Sequence, residues 1–494
     1  MAGQRLSRRD FLRMGALTTA GAALAACAPQ VVEKTVTVLQ TVEVPVQETV
    51  VVQPTAPPPG VQKVTVFTGF GTGTDAAQIE VHDSLVQEFN GENPDIQMEW
   101  LTVPWGEHVA KYSTMLAAGM TPEMAGPIGV GGMAEFMGGW VDLSPYIEAD
   151  KYDLSDYFGL TQEIHTYAGQ GVLGLPLCVY PSVVFYNEDL FDAAGVDYPP
   201  HKYGDKYADG SAWTYDKLFE ISKLLTIDSS GNDANSPAFK WEDTTQWGWN
   251  GWDWMGVAEV GTKWGGNPRG VSDDNRTAVM NSPEYVKGAQ AIADTTWKMH
   301  IWANSEQGGA FYDVAGDPFG SGMVGMWEIH SWMGWAYGSW TESFNWDVAA
   351  VPMVAEVGKP IAVVDADTYV MSKTAKNLDA AWQAMKWLFE PAQFDRLCKN
   401  YSCIPARKTL AANWVSVQQA QFPDIDFQVF LDSLDYIDRP NHEAWLPNYK
   451  RVSDARVKAW DLIRTGENLN VEEVLANLNA EAQGYIDEWW AANP

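Results

Sequence analysis

Hydrophobic positions along residues 63–118 alternate between the period of a strand and that of a helix. Residues 63–67 form a short β-rich run, and residues 96–101 alternate between apolar and polar side chains, which predicts two strands. Residues 76–90 and 108–118 carry apolar side chains at helical spacing, and Gly119 and Pro122 end the second helix. This β-α-β-α order predicts an α/β sheet covered by helices.

Later segments show the same two periods. Residues 183–186 are apolar or aromatic throughout and predict a buried strand, and residues 378–390 predict a helix that Pro391 ends. The last predicted helix begins at Asn470, whose side chain can cap it while Glu473 sits three residues on.

The first 27 residues have the pattern of an export signal. The segment begins with four arginines, Arg5, Arg8, Arg9 and Arg13. An apolar stretch follows at residues 14–26, which is too short to span a bilayer and ends in small residues. Residues 7–12 look like a twin-arginine signal, and residues 24–27 resemble a lipobox that ends at Cys27. We expect a lipid-modified Cys27 to anchor the protein by acyl chains only. Residues 28–61 are low in complexity and rich in Val, Thr and Pro, which predicts a flexible tether.

Charge and cysteine content narrow the classes of partner. The formal charge of −32 argues against nucleic acid, which requires a basic surface. After Cys27 the chain has three cysteines, and the spacing of Cys398 and Cys403 permits a disulfide in an oxidising compartment, or two small buried side chains. Neither a metal-binding nor a nucleotide-binding motif occurs, so we expect no metal and no cofactor.

An ordered set of motifs resembles the family 1 extracellular solute-binding proteins, the group that contains maltose-binding protein. The matching segments run in family order: residues 89–96, 112–119, 140–147, 174–176, 183–191, 325–332, 347–352 and 369–372. Two loops depart from the family pattern, since Phe67 to Phe70 replace a loop that often carries Trp and Asp365 to Thr368 replace a glycine-rich loop. The identity of the ligand therefore does not transfer.

The resemblance implies a type II periplasmic-binding-protein-like fold, with two α/β lobes joined by three crossovers and closing at a hinge. It places residues 62–184 and 357–404 in an N-terminal lobe and residues 185–356 and 405–494 in a C-terminal lobe. It also implies a monomer that captures a small molecule, a sugar by preference, and delivers it to the permease subunits of an ABC importer. The expected location is the outer face of the bacterial cytoplasmic membrane.

Candidate ligand residues follow from sugar chemistry. A pyranose stacks its C–H faces on aromatic rings and donates hydroxyl hydrogens to carboxylates, and the chain has 24 Trp. Most of these Trp belong to the core, but some should line the cleft. Trp332 ranks first because its segment resembles the one that carries a sugar-stacking Trp in maltose-binding protein. The other candidates are Trp252, Trp254, Tyr180, Glu328, Asp367, Asp365, Asp253 and Phe70.

Three other functions are compatible with parts of the sequence. Aromatic rings and carboxylates also bind quaternary amines or polyamines. An anchored binding protein can serve a membrane sensor instead of an importer. A secreted glycoside hydrolase would need two carboxylates about 5–10 Å apart, and the order of the motifs contradicts the barrel fold of such enzymes. We therefore predict a binding protein that is not an enzyme.

Overall fold

The structure, a computed structural model, describes residues 60–104, 106–251 and 256–493, all within one compact unit. The predicted signal, Cys27 and nearly all of the predicted tether lie outside the described residues. Within the described part of the chain, every helix is too short or too polar to cross a membrane.

Helices and strands alternate along most of the described chain. The strands are β1 (Gln62–Thr68), β2 (Ile96–Thr102), β3 (Met124–Ile128), β4 (Thr166–Tyr167), β5 (Gly171–Val172), β6 (Leu175–Asn187), β7 (Ile227–Asp228), β8 (Thr244–Gly251), β9 (Val324–His330), β10 (Trp346–Ala349), β11 (Val364–Met371) and β12 (Ile404–Pro405). The helices are α1 (Ala76–Glu92), α2 (His108–Ala117), α3 (Val130–Glu135), α4 (Ser144–Asp150), α5 (Gly159–Ile164), α6 (Glu188–Ala194), α7 (Tyr215–Leu225), α8 (Val257–Lys263), α9 (Pro283–Trp297), α10 (Ser305–Ala315), α11 (Tyr337–Ser343), α12 (Leu378–Leu388), α13 (Pro391–Asn400), α14 (Lys408–Gln421), α15 (Gln428–Ser433), α16 (Tyr449–Thr465) and α17 (Val471–Ala492).

Strand β6 connects the two halves of the main sheet. The sheet order is β2-β1-β3-β11-β6-β9-β8-β7, with β10 and β12 also paired to β6. The first half of β6 pairs antiparallel with β11, and its second half pairs with β9 and β10. All 13 residues of β6 are buried, which explains why its sequence is apolar without alternation.

Two hydrophobic core clusters lie along this sheet. The first includes Phe67, Met124 and Tyr369, and the second includes Trp302 and Leu475. Five of the Trp side chains are almost completely buried: Trp140, Trp249, Trp302, Trp340 and Trp346. Packing therefore explains much of the unusual Trp content, as the sequence predicts.

Local capping fixes the ends of several predicted helices. Asp75 and Gln78 form a capping box that starts α1. The side chain of Asn470 accepts a hydrogen bond from the backbone N–H of Glu473, which confirms the predicted start of the last helix. The predicted helix at residues 378–390 is α12, and Pro391 begins the next helix, α13.

The predicted disulfide between Cys398 and Cys403 is wrong. Cys403 instead bridges to Cys178, with 5.8 Å between the Cα atoms, and Cys398 is a buried free thiol. The reason is strand pairing, because β12 lies against β6 with Pro405 opposite Cys178 and Ile404 opposite Val179. Cys398 lies in α13, where its thiol faces the Leu177 carbonyl oxygen at 3.7 Å. Local spacing along the chain carries no information about such a long-range pairing.

Candidate ligand-binding cavity

A cavity of about 640 Å³ opens where the loops after several strands meet. It lies beside β11 and is bounded by the segment between β1 and α1, the start of α3, the turn after β9, and the start of α16. Its lining includes the side chains of Phe70, Glu135, Tyr180, Trp332, Trp335, Asp365, Asp367, Glu443, Tyr449 and Lys450.

Five predicted ligand residues meet around this cavity: Phe70, Tyr180, Trp332, Asp365 and Asp367. They come from four separate segments of the chain, so the fold and not the sequence order brings them together. Trp252, Asp253 and Trp254 lie outside the described residues.

Glu328 was predicted to bind ligand, but it is part of the protein interior. Its carboxylate forms an ion pair with Lys263 at the end of α8, and both side chains are 1% exposed. The Tyr215 hydroxyl donates a second hydrogen bond to it at 2.7 Å. Glu328 is absent from the lining of the cavity. The prediction fails because Glu328 lies within β9, whereas Trp332 lies in the turn beyond its end.

Asp365 and Asp367 share one face of β11 because they are two residues apart, while Ala366 between them is fully buried on the other face. The backbone just before α3 lies close to both carboxylates, since a Cβ added at Gly129 would be in ordinary contact, at 3.6 Å, with a carboxylate oxygen of each aspartate. A Cβ added at Gly131 would overlap the Tyr449 hydroxyl, so glycine at this position lets Tyr449 pack closely against α3.

Burial shifts the titration of these carboxyls upward. Burial raises the pKa of Asp365 to about 8, with repulsion from Glu443 and Asp367 adding to the effect. Burial also raises the pKa of Asp367 to about 6, although the Tyr180 hydroxyl opposes the shift by donating to its Oδ2 at 3.1 Å. At neutral pH the pair therefore holds about one proton, so one carboxyl can donate a hydrogen bond while the other accepts.

Glu443 brings a third carboxylate to the cavity. The Tyr449 hydroxyl donates to its Oε1, and its backbone N–H donates to Asn441 Oδ1 at 2.9 Å. The neighbouring His442 is held in the interior by Asp438, whose oxygen lies 2.8 Å from Nδ1. Burial opposes the charged ring, but the Asp438 carboxylate outweighs it and raises the pKa of His442 to about 9.

Trp332 presents its ring from a fixed position. One ring face stacks on His330, with centroids 4.1 Å apart and planes 14° from parallel, and the edge meets Tyr180 at 6.1 Å. Burial lowers the pKa of His330 far below its usual value, so its ring is neutral at physiological pH and stacks as an uncharged aromatic. Trp335, three residues later, is 63% exposed at the edge of the same cavity.

Sequence reasoning missed Glu443, Tyr449 and Glu135. Glu443 lies in residues 437–448, an irregular segment without the periodicity that identifies strands and helices, and Tyr449 is the first residue of α16. Glu443 does lie close to Trp445 and Tyr449, and this mixture of acid and aromatic residues was the one available signal. Glu135 lies at the end of α3, and nothing in the sequence distinguishes it from a surface acid.

Solved structures share this fold. An ABC substrate-binding protein of Listeria monocytogenes, in complex with cycloalternan, matches with a TM-score of 0.66 at 20% identity over 86% of this chain and 99% of its own. The acarbose-binding GacH receptor of Streptomyces glaucescens matches with a TM-score of 0.64 at 18% identity over 87% of this chain and 99% of its own. At such identities the likeness shows the fold, which is the predicted periplasmic-binding-protein-like fold.

Sequence comparison gives the family. A binding protein of Brucella abortus is 21% identical over 334 residues, which are 66% of this chain and 72% of the relative. The model of bacterial extracellular solute-binding proteins matches residues 84–423, more than half of the chain. This chain therefore belongs to the bacterial extracellular solute-binding protein family, whose members act outside the cytoplasm.

Proposed function

We propose that the chain captures a carbohydrate, an oligosaccharide by preference, in the cavity beside β11 and delivers it to the permease of an ABC importer. The observation that carries the proposal is the combination of aromatic rings and carboxyls around one cavity. An oligosaccharide needs both, because its ring faces are apolar and its edges carry hydroxyls.

The positions of the side chains suit such a ligand. The Trp332 ring, backed by His330, offers a rigid surface for stacking, and Phe70 and Trp335 extend the aromatic lining. Asp365 and Asp367 lie together on one face of β11, where a partly protonated pair can both accept from and donate to sugar hydroxyls. The volume of about 640 Å³ lies within the usual range for small-molecule sites.

The relatives support the same class of ligand. Cycloalternan and acarbose, the ligands of the two similar structures, are both built from sugar units. A cyclic α-maltosyl-1,6-maltose binding protein of Arthrobacter globiformis has the same fold, with a TM-score of 0.64 at 18% identity over 87% of this chain and 100% of its own. Carbohydrate is therefore the first class of ligand to test.

The predicted export and lobe arrangement belong to the same proposal. Cys27 would carry the lipid anchor, and residues 28–61 would let a monomer move between the membrane and its permease. Strand β6 contributes side chains to both core clusters, Val183 and Phe185 to the first and Val184 and Tyr186 to the second. Closure of the lobes would bring Trp332 and Asp365 against opposite sides of the sugar.

Intrinsic Trp fluorescence tests the proposal. The purified protein is titrated with a panel of monosaccharides and oligosaccharides. We expect a saturable shift with one sugar class, and we expect Trp332→Ala to weaken that binding by about 2 kcal/mol, roughly 30-fold. Trp489→Ala, near the end of α17 and away from the cavity, is the matched control and should bind as wild type. Sugars that produce no saturable shift would contradict the proposal.

A cationic solute is the second candidate, because Asp365, Asp367 and Glu443 meet in one cavity. Lys450, which also lines the cavity, is held by Asp454. A quaternary amine or polyamine would bind more tightly as the pH rises past about 8, because Asp365 then becomes charged. Glycine betaine and spermidine therefore belong in the panel, titrated at pH 6 and pH 9.

The same titrations separate binding from catalysis. A binding protein returns its sugar unchanged, whereas a glycoside hydrolase releases reducing ends from an oligosaccharide. We propose that the chain is not an enzyme. Reducing ends that accumulate with wild type and disappear in Asp367→Asn would contradict this.

A further inference from the structure

A second, smaller cavity lies apart from the proposed ligand site. Its volume is about 240 Å³, and it is lined by the end of α5, the β4–β5 hairpin, residues 269–275 and residues 437–445. The last of these segments also contributes Glu443 to the larger cavity, so the two cavities lie on either side of one segment. This volume is below the usual range for small-molecule sites, so the cavity suits a small anion together with water molecules and not an oligosaccharide.

Arg269 in this lining is a buried cation that has no partner among the described residues. The residue is 8% exposed, and no described residue accepts a hydrogen bond from its guanidinium or lies within ion-pair distance of it. Asp273, also in the lining, acts on it only at longer range, and burial lowers the pKa of Arg269. A buried charge without a partner is costly, so proteins rarely keep one unless something else satisfies it. The lack of an acidic partner for Arg269 among the described residues is the more unusual because the chain carries a formal charge of −32.

Two further polar atoms in the same lining also lack partners. The indole Nε1 of Trp445 is buried without an acceptor, and Oδ1 of Asn275 is buried without a donor. Trp445 and Asn275 are each 6% exposed, so they are shielded from solvent to about the same degree as Arg269. The Trp445 indole can donate to an acceptor in the cavity beside the Arg269 guanidinium, whereas the Asn275 NH₂ group already donates to the Trp445 carbonyl oxygen at 3.4 Å.

We infer that this cavity binds a small oxyanion, a carboxylate or a phosphate, through the guanidinium of Arg269. The planar guanidinium matches the oxygen spacing of either anion, and Trp445 adds a neutral donor. Arg439, 59% exposed at the same cavity, supplies a second positive charge and is tied to Glu163 at 3.5 Å.

The acids in the lining limit the charge of that anion. Asp438 is held by His442, and Glu163 by Arg439, while Asp273 has no cation within ion-pair distance among the described residues. The cavity therefore suits an anion of one or two charges, and its positive end is at Arg269. This inference is independent of which solute the larger cavity takes.

Calorimetric titration of the full chain with inorganic phosphate, and separately with acetate, tests the inference at pH 7 and fixed ionic strength. We expect at least one of the two to bind saturably at one site per chain with a Kd of about 1 mM or tighter. Phosphate alone would identify a phosphate site, and acetate alone a carboxylate site. If neither anion saturates, the inference is wrong.

Variants locate the site. We expect Arg269→Gln to weaken binding at least tenfold and Arg439→Gln to weaken it several-fold, while Arg451→Gln, an exposed arginine paired with Glu488, binds as wild type. Unchanged affinity in Arg269→Gln would overturn the inference. Should that variant fail to fold, unchanged affinity in Arg439→Gln overturns it instead. A sugar that binds the protein should leave the phosphate affinity measurable, and direct competition between the two would place the anion in the larger cavity and contradict the inference.

Discussion

The protein holds two groups of carboxyl side chains in different ways: Glu328 on β9, and the pair Asp365 and Asp367 on β11. Glu328 on β9 is neutralised inside the protein by Lys263 and Tyr215. On β11, Asp367 is buried and Asp365 is half-buried, but the hydrogen bonds that they receive come from the Tyr180 hydroxyl and from backbone N–H groups. Glu328 joins α8 to the sheet, whereas Asp365 and Asp367 face a cavity.

The difference lies in what neutralises each carboxyl. A buried carboxylate with a cation beside it is satisfied by the fold, and it has little left to offer a ligand. A buried carboxyl without a cation keeps a raised pKa and remains able to exchange hydrogen bonds with a solute. Burial alone therefore does not identify a candidate binding residue, but burial beside a cavity without an ion-pair partner makes a carboxyl a candidate.

The largest effect on stability should come from removing the cation that neutralises Glu328. We expect Lys263→Met to lower the free energy of unfolding by about 3–5 kcal/mol, because it leaves Glu328 buried without its cation. Urea denaturation measures this. Lys287→Met, which removes an exposed ion pair with Glu356, is the control and should cost no more than about 1 kcal/mol. Equal effects of the two substitutions would show that Glu328 is not neutralised as described.

For Asp365 we expect the opposite effect, because its charge should lower the free energy of unfolding. The pKa of Asp365 is about 8 in the folded protein, against an ordinary value of 3.8. Between these pH values the folded chain holds a proton that the unfolded chain has lost, so the free energy of unfolding falls as the pH rises. The penalty is absent below about pH 4 and complete above about pH 8.

Asp365→Asn removes that penalty. We expect the variant to be more stable than wild type at pH 9, by at least about 1 kcal/mol, and to lose this advantage towards pH 4. Urea denaturation of both proteins at pH 5, 7 and 9 measures the difference, with the surface substitution Asp461→Asn as the control. A variant less stable than wild type at pH 9 would mean that an unrecognised cation neutralises Asp365.

The smallest effect concerns the hydroxyl that supports Asp367. We expect Tyr180→Phe to cost about 1 kcal/mol of stability at pH 8, since Asp367 loses a donor at 3.1 Å. The pKa of Asp367 should also rise further above 6, because the Tyr180 hydrogen bond favours the charged form. Carbon-detected NMR titration of the carboxyl group follows that pKa. An unchanged pKa would show that this hydrogen bond does not form in solution.

The sequence predicted the fold well because strands and helices leave a periodic record. The helix expected at residues 76–90 is α1, and the apolar run at residues 183–186 lies within β6. The sequence could not show that β6 extends from Leu175 to Asn187 and pairs with strands on both halves of the sheet. That property depends on partners distant in the chain, as does the bridge between Cys178 and Cys403.

The candidate site was only partly predictable for the same reason. Asp365 and Asp367 were identified because they lie in a segment that resembles a family cleft loop, and Trp332 because its segment follows a family pattern. The structure places the two aspartates within strand β11 and not in a loop. Glu328 was misassigned because its partner Lys263 is 65 residues away in the sequence. Glu443 was missed because an irregular segment places it in the cavity. For both Glu328 and Glu443, the contacts that decide the role of the side chain are made with residues that are distant in the sequence.

A crystal structure of the protein with the sugar that binds most tightly in the fluorescence panel tests the central claim most directly. The account predicts sugar density in the cavity beside β11, with one ring stacked on an aromatic face at Trp332 and hydroxyls within hydrogen-bond distance of Asp365 or Asp367. Density for the sugar at any other place, with this cavity unchanged, would contradict it.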